Sequence, residues 1–69
     1  MIRKSVGNRI RQLRKERKLT QDDLADLSLL DRTYITSVER GHRNISIVNL
    51  EKISKALNIE IKELFDFEH

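Results

Sequence analysis

The chain has 69 residues, no cysteine, no proline, two glycines, and 14 basic against 11 acidic side chains. That is enough for one small domain, read as residues 1–69, but not for a roomy internal active site, since a domain this size buries only about 60% of its unfolded surface. Without cysteine there is no disulfide framework or thiolate metal site, and the two histidines, His42 and His69, are far apart with no ligand cluster around them. No metal, cofactor or small-molecule ligand is expected. The longest apolar run is two residues, as at Leu29 and Leu30, against the ~20 needed to span a bilayer. The expectation is a soluble cytoplasmic protein, not associated with a membrane.

Charge is distributed as a gradient. Residues 1–18 hold Arg3, Lys4, Arg9, Arg11, Arg14, Lys15, Arg17 and Lys18 against Glu16 alone, a net of +7, whereas residues 58–69 sum to −3. The basic end suits a polyanion. The bland reading, a charge-rich helix surface, also accounts for the run when it is taken alone.

Ile2, Val6, Ile10 and Leu13 recur at spacings of four, four and three, which predicts a first helix running to about Lys18. Thr20 with Asp23 is a capping pair that opens a second helix, Gln21 to about Leu27, with Leu24 and Ala25 turned inward. Asp31 is a suitable N-cap for a third helix, Arg32 to about Arg40, which Gly41 can end in the left-handed conformation. Ser46 can cap a fourth helix carrying Leu50, Ile53 and Leu57, with Asn58 at its end. Ile59, Ile61, Leu64, Phe65 and Phe67 predict a short fifth helix and a frayed tail. No strand alternation or repeat is present. The fold class is all-α: five short helices packed around Ile10, Leu13, Leu19, Leu24, Leu30, Ile35, Val38, Leu50, Ile53, Leu57 and Leu64.

The third helix has two faces. At ~100° per residue, placing Arg32 at the origin puts Thr36, Thr33 and Ser37 at ~40°, ~100° and ~140°, while Tyr34, Ile35 and Val38 fall on the opposite side. The first face offers short hydroxyl side chains and one guanidinium, with no acidic group among them. Arg can bond bidentately to guanine O6 and N7, and short side chains let the helix approach base edges in the major groove. A capped helix, a tight turn and a helix with such a face is the arrangement in which helix-turn-helix proteins dock, N-terminal half first.

The stretch LTQDDLADLSLLDRTYITSVERG, residues 19–41, resembles the helix-turn-helix of the phage repressor and Cro (XRE-type) family, and RNISIVNLEKISKAL resembles its fourth helix. The similarity spans about residues 7–65. Asp31-Arg32-Thr33-Tyr34-Ile35, Glu39-Arg40 and Arg43-Asn44 look most like the controller proteins of restriction-modification systems. The resemblance implies that Arg32, Thr33, Thr36, Ser37 and Arg43 face bases, and that Gln21, Tyr34 and Asn44 contact the backbone. Arg17, in the basic stretch, is taken with them as a phosphate contact. Arg14 and Glu39 match a structural ion pair between the first and third helices. Many members carry Gly in the turn where this chain has Leu29. A positive φ there costs a Leu roughly 1 kcal/mol or more, so strain or an altered turn is expected.

One recognition helix reads too few base pairs to single out a site, so a homodimer on a pseudo-palindromic double-stranded operator is expected. The acidic, apolar tail suits the second surface, with Ile59, Ile61 and Phe65 assigned to the dimer interface. So small a regulator acts by blocking RNA polymerase or by touching it, and the resemblance implies an autoregulating controller. Rival readings are a plain phage- or antitoxin-type repressor and an interaction module that has lost DNA binding. An enzyme is disfavoured, because no convergent acid and base, nucleophile with His, or phosphate-cradling Gly loop is present.

Overall fold

A computed structural model describes residues 1–67; Glu68 and His69, at the end of the tail expected to fray, lie outside the described residues. The order is α1 (Ile2–Glu16), α2 (Gln21–Ser28), α3 (Arg32–Glu39), α4 (Ile47–Ala56), then a 3₁₀ turn (Ile61–Phe65). The fifth helix of the sequence reading is therefore corrected to a single 3₁₀ turn. Five residues cannot hold an α-helical ladder against chain entropy, and Glu63 N–H closes instead on the Glu60 carbonyl three residues back.

Helix starts follow local chemistry. The Thr20 hydroxyl accepts from Asp23 N–H at 3.0 Å, and the Asp23 carboxylate accepts from Thr20 N–H at 2.9 Å, a complete capping box. Ser46 Oγ accepts from Asn49 N–H at 3.1 Å to open α4. Asp31 stands at the N-cap of α3 with extended backbone, but its side chain makes no capping bond there. That expectation was right about position and wrong about the hydrogen bond.

All four helices stop in the same way. Lys18, Leu29, Gly41 and Asn58 take positive φ (57°, 59°, 76° and 58°), and the next residue's N–H reaches back five positions. These bonds are Leu19 to Arg14, Leu30 to Ala25, His42 to Ser37 and Ile59 to Ser54. This is the Schellman arrangement, in which the residue after the left-handed one commonly packs back onto the helix. Leu19, Leu30 and Ile59 accordingly lie half-buried against the core. Leu29 keeps the turn that other sequences build with Gly, and its 84% exposed side chain recovers little packing in return. Of the two outcomes anticipated at this position, the strained one is present.

The core comprises Val6, Ile10, Leu13, Leu24, Ala25, Ile35, Val38, Leu50, Ile53, Leu57 and Leu64. It draws on every helix and on the 3₁₀ turn. The side chain of α1 at its closest approach to α3 is no side chain at all: a Cβ on Gly7 would collide with the Val38 carbonyl oxygen and lie 3.0 Å from that of Glu39. Gly7 thus sets how near α3 can sit to α1. Among the described residues, no helix is long and apolar enough to cross a membrane.

Candidate nucleic-acid interface

The α3 face is held from behind by one buried ion pair. Arg14 Nε and Nη2 donate to the two carboxylate oxygens of Glu39 at 2.7 and 2.9 Å, and Arg14 Nη1 donates to the Leu19 carbonyl at 2.8 Å. The side chains are 9% and 2% exposed. The guanidinium pKa is raised, chiefly by its hydrogen bond to Glu39, with burial opposing and the carboxylate charge adding to the rise. This fork joins the last turn of α1 to the end of α3. Arg14 is thereby spent internally.

The pair extends outward through Gln21. Gln21 Nε2 donates to Glu39 Oε1 at 3.2 Å, and Thr36 Oγ1 donates to Gln21 Oε1 at 2.9 Å. Thr36 Oγ1 also faces the Arg32 carbonyl at 3.0 Å. Gln21, the first residue of α2, is thus fixed against the middle of α3.

Arg32 and Thr33 are exposed, while Thr36 and Ser37 are half-buried. Arg32 Nε lies 3.3 Å from Asp22 Oδ1, with both side chains largely exposed. Exposed pairs of this kind are worth about 0–1 kcal/mol, so the guanidinium is free to exchange partners. Arg11, Arg40 and Asn8 line the same shallow groove as Gln21, Arg32, Thr36 and Glu39. Neither Arg11 nor Arg40 was singled out from sequence. The signal lay in the basic character of residues 1–18 and in the position of Arg40 just past α3, but only the helix packing brings the two together.

The loop after α3 is tethered by an aromatic contact. The Arg43 guanidinium stacks over the Tyr34 ring at 5.1 Å from its centroid. Asn49 Nδ2 donates to the Tyr34 phenol oxygen at 3.1 Å, which leaves the phenol's own proton free to donate elsewhere. Asn44 is exposed beside Arg43. Arg17, also expected at phosphate, has its Nε donating to the Leu57 carbonyl at 2.7 Å and its Nη1 to the Leu13 carbonyl at 3.2 Å. It satisfies carbonyls at the ends of α4 and α1, where the helix dipoles favour a cation.

The residues expected at the second surface differ in exposure. Ile59 is half-buried against the core and Ile61 is half-buried, whereas Phe65 is 42% exposed. Larger apolar exposure is found at Met1, Ile2, Ile47 and Val48, at the N-termini of α1 and α4, and at Leu27 and Leu29 around the end of α2. Phe65 and Ile2 line one apolar cleft with Val6, Ile45 and Leu50. Ile47 and Val48 sit in the first turn of a helix whose later residues carry the core periodicity.

Residues 10–64 match the model of the helix-turn-helix family. The chain is 51% identical over 65 residues to Control protein C.MunI of Mycoplasma sp, covering 93% of this chain and 88% of that one. It is 48% identical over 67 residues to Control protein C.BamHI of Bacillus amyloliquefaciens, covering 96% and 83%. It superposes on the crystal structure of the restriction-modification controller protein C.AhdI from Aeromonas hydrophila with a TM-score of 0.90 at 51% identity, covering 91% of this chain and 96% of that one. With α2 and α3 set in the helix-turn-helix geometry, a basic groove beside the exposed face of α3, and this likeness along nearly its whole length, the chain belongs to the helix-turn-helix family of DNA-binding transcriptional regulators.

Proposed function

We propose that the protein binds a pseudo-palindromic DNA operator as a homodimer and acts as the autoregulating controller of a restriction-modification system. The observation that carries DNA reading is the α3 face, where Arg32, Thr33, Thr36 and Ser37 stand clear of the core beside Gln21 at the N-terminus of α2. In this reading Arg32, Thr33, Thr36, Ser37 and Arg43 meet base edges. Gln21, Tyr34 and Asn44 meet phosphates, with Arg11 and Arg40 added and Arg17 removed. The control proteins named above support the assignment to restriction-modification.

Dimerisation places Phe65, Ile61, Ile2, Ile47 and Val48 in the second surface, on the apolar exposure they provide. At 30 × 21 × 20 Å, two copies side by side span about the ~34 Å that separates half-sites one helical turn apart. In this reading the dimer works in the cytoplasm by occluding RNA polymerase at one site or contacting it at another.

Selection of bound duplexes from a random pool, followed by footprinting on the gene's own upstream region, tests the proposal. Two inverted half-sites are expected, with a log-log salt slope of about −4 from the counterions released by Arg11 and Arg40 of the two subunits. Transcription should first rise and then fall with protein concentration. A strictly monotonic fall leaves a plain repressor, and affinity unchanged between ~50 and ~200 mM salt would contradict the phosphate contacts assigned above.

A further inference from the structure

Resting on the placement of Thr36 toward bases proposed above, we infer that Thr36 reads DNA only as a hydrogen-bond acceptor, selecting an exocyclic amino group, adenine N6 or cytosine N4, on the edge it meets. A free threonine hydroxyl donates or accepts as its surroundings allow. Here the surroundings remove that choice.

The chain of bonds starts at its buried end. Arg14 is a donor without acceptor capacity and Glu39 an ionised acceptor without a donor. Their bidentate contact therefore has one polarity. Gln21 can approach Glu39 Oε1 only with its amino group, at 3.2 Å, because turning its carbonyl inward would set oxygen against carboxylate. The amide orientation is thereby determined by chemistry. Gln21 Oε1 then faces Thr36 Oγ1 at 2.9 Å and can only accept, so the threonine must donate.

The hydroxyl has a single proton. Both of its partners within the protein, Gln21 Oε1 and the Arg32 carbonyl oxygen at 3.0 Å, are acceptors. Any group arriving from the groove meets lone pairs. Guanine shows O6 and N7 in the major groove, both acceptors, and neither can pair with them. Cytosine N4 and adenine N6 can. Gln21 Nε2 keeps its second proton, so the same relay leaves Gln21 able to donate to a phosphate while it holds Thr36.

The test uses the full chain, with Thr36→Val, which keeps the shape but removes the lone pairs, and Thr36→Ser, which keeps them. Selection from a random pool with each protein identifies the base pair whose preference changes. In the wild-type operator, that pair is then altered one group at a time: purine for adenine or 2-pyrimidinone for cytosine, each lacking the amino group, and 7-deazaguanine for guanine, lacking N7. The expected result is about a three- to tenfold loss of wild-type affinity, the scale of one hydrogen bond, when the amino group is deleted. Thr36→Val should show the same loss on the unaltered operator and no further loss on the altered one, while 7-deazaguanine leaves both proteins unchanged. A loss with 7-deazaguanine that Thr36→Val abolishes would make Thr36 a donor and overturn the inference. Identical selected sites for all three proteins would instead overturn the placement of Thr36 against bases, with DNA binding itself intact.

Discussion

Replacing Glu39 by Gln conserves shape and deletes one charge, and its cost follows from what it strands. Arg14 would remain 9% exposed with two of its three hydrogen bonds directed at a group that is no longer an anion. Removing one partner of a buried ion pair costs about 3–5 kcal/mol, because the remaining charge is uncompensated. A domain of this length has a total stability of about 3–10 kcal/mol, so the loss takes a third of it or more. At about 4–8 °C per kcal/mol for so small a domain, Tm should fall by at least ~12 °C. The raised pKa of Arg14 means that its stabilising contribution is present below the unfolded-state value and is lost only above the folded one, beyond the usual alkaline range. The deficit should therefore be the same at neutral and moderately alkaline pH.

The comparison that isolates the charge is Arg14→Met combined with Glu39→Leu. It leaves no ion in the site, only the Leu19 carbonyl and Gln21 Nε2 short of a partner. Urea unfolding followed by circular dichroism should find the double variant more stable than Glu39→Gln by about 1 kcal/mol or more. If Glu39→Gln costs under ~1 kcal/mol, or if the double variant loses the sum of the two single losses, the pair is not a buried and mutually dependent one, and the reasoning fails.

Gly7→Ala should destabilise by more than ~3 kcal/mol, since the new methyl meets the Val38 and Glu39 carbonyl oxygens, which belong to backbone and cannot turn aside. A Tm within a few degrees of wild type would mean that α1 and α3 can separate freely. Leu29→Gly should raise Tm by a few degrees, because relief of left-handed strain, about 1–2 kcal/mol, exceeds the roughly 0.4–1 kcal/mol of added chain freedom; a fall in Tm would show that the turn is unstrained. Asp23 is held below the usual carboxylate range, first by the Thr20 backbone N–H and then by its hydroxyl. A depressed folded pKa gives a contribution present above the unfolded value, near ~4, and lost as pH falls through the folded one. Asp23→Asn, which cannot titrate, should therefore flatten this part of the acid limb of stability against pH, and an unaltered limb would count against the capping box.

Much of the molecule was legible because its signals are local. Periodicity located the first and fourth helices and capping residues the second and third, and nine of the eleven expected core residues are buried, since the inward face of a short helix follows its apolar positions. Leu19 and Leu30 fall short of full burial for a reason also written locally, as each follows a left-handed helix end. The outward placing of Arg32 and Thr33 was likewise readable from angle and residue type.

What tertiary structure decided were the partners of long polar side chains. An arginine's reach exceeds the spacing between elements, so sequence cannot say whether Arg17 turns to solvent or to the Leu57 carbonyl 40 positions away. Nor can it say that Gln21 and Thr36, 15 apart, share one bond, or that Ile47 stays bare while Ile59 folds inward. Those outcomes depend on how four helices cross, and that is set jointly by Gly7, the Arg14–Glu39 fork and the packed core. The chain's own pattern determines that a hydroxyl-bearing helix faces outward; only the packing determines which atoms of that face remain available to a base.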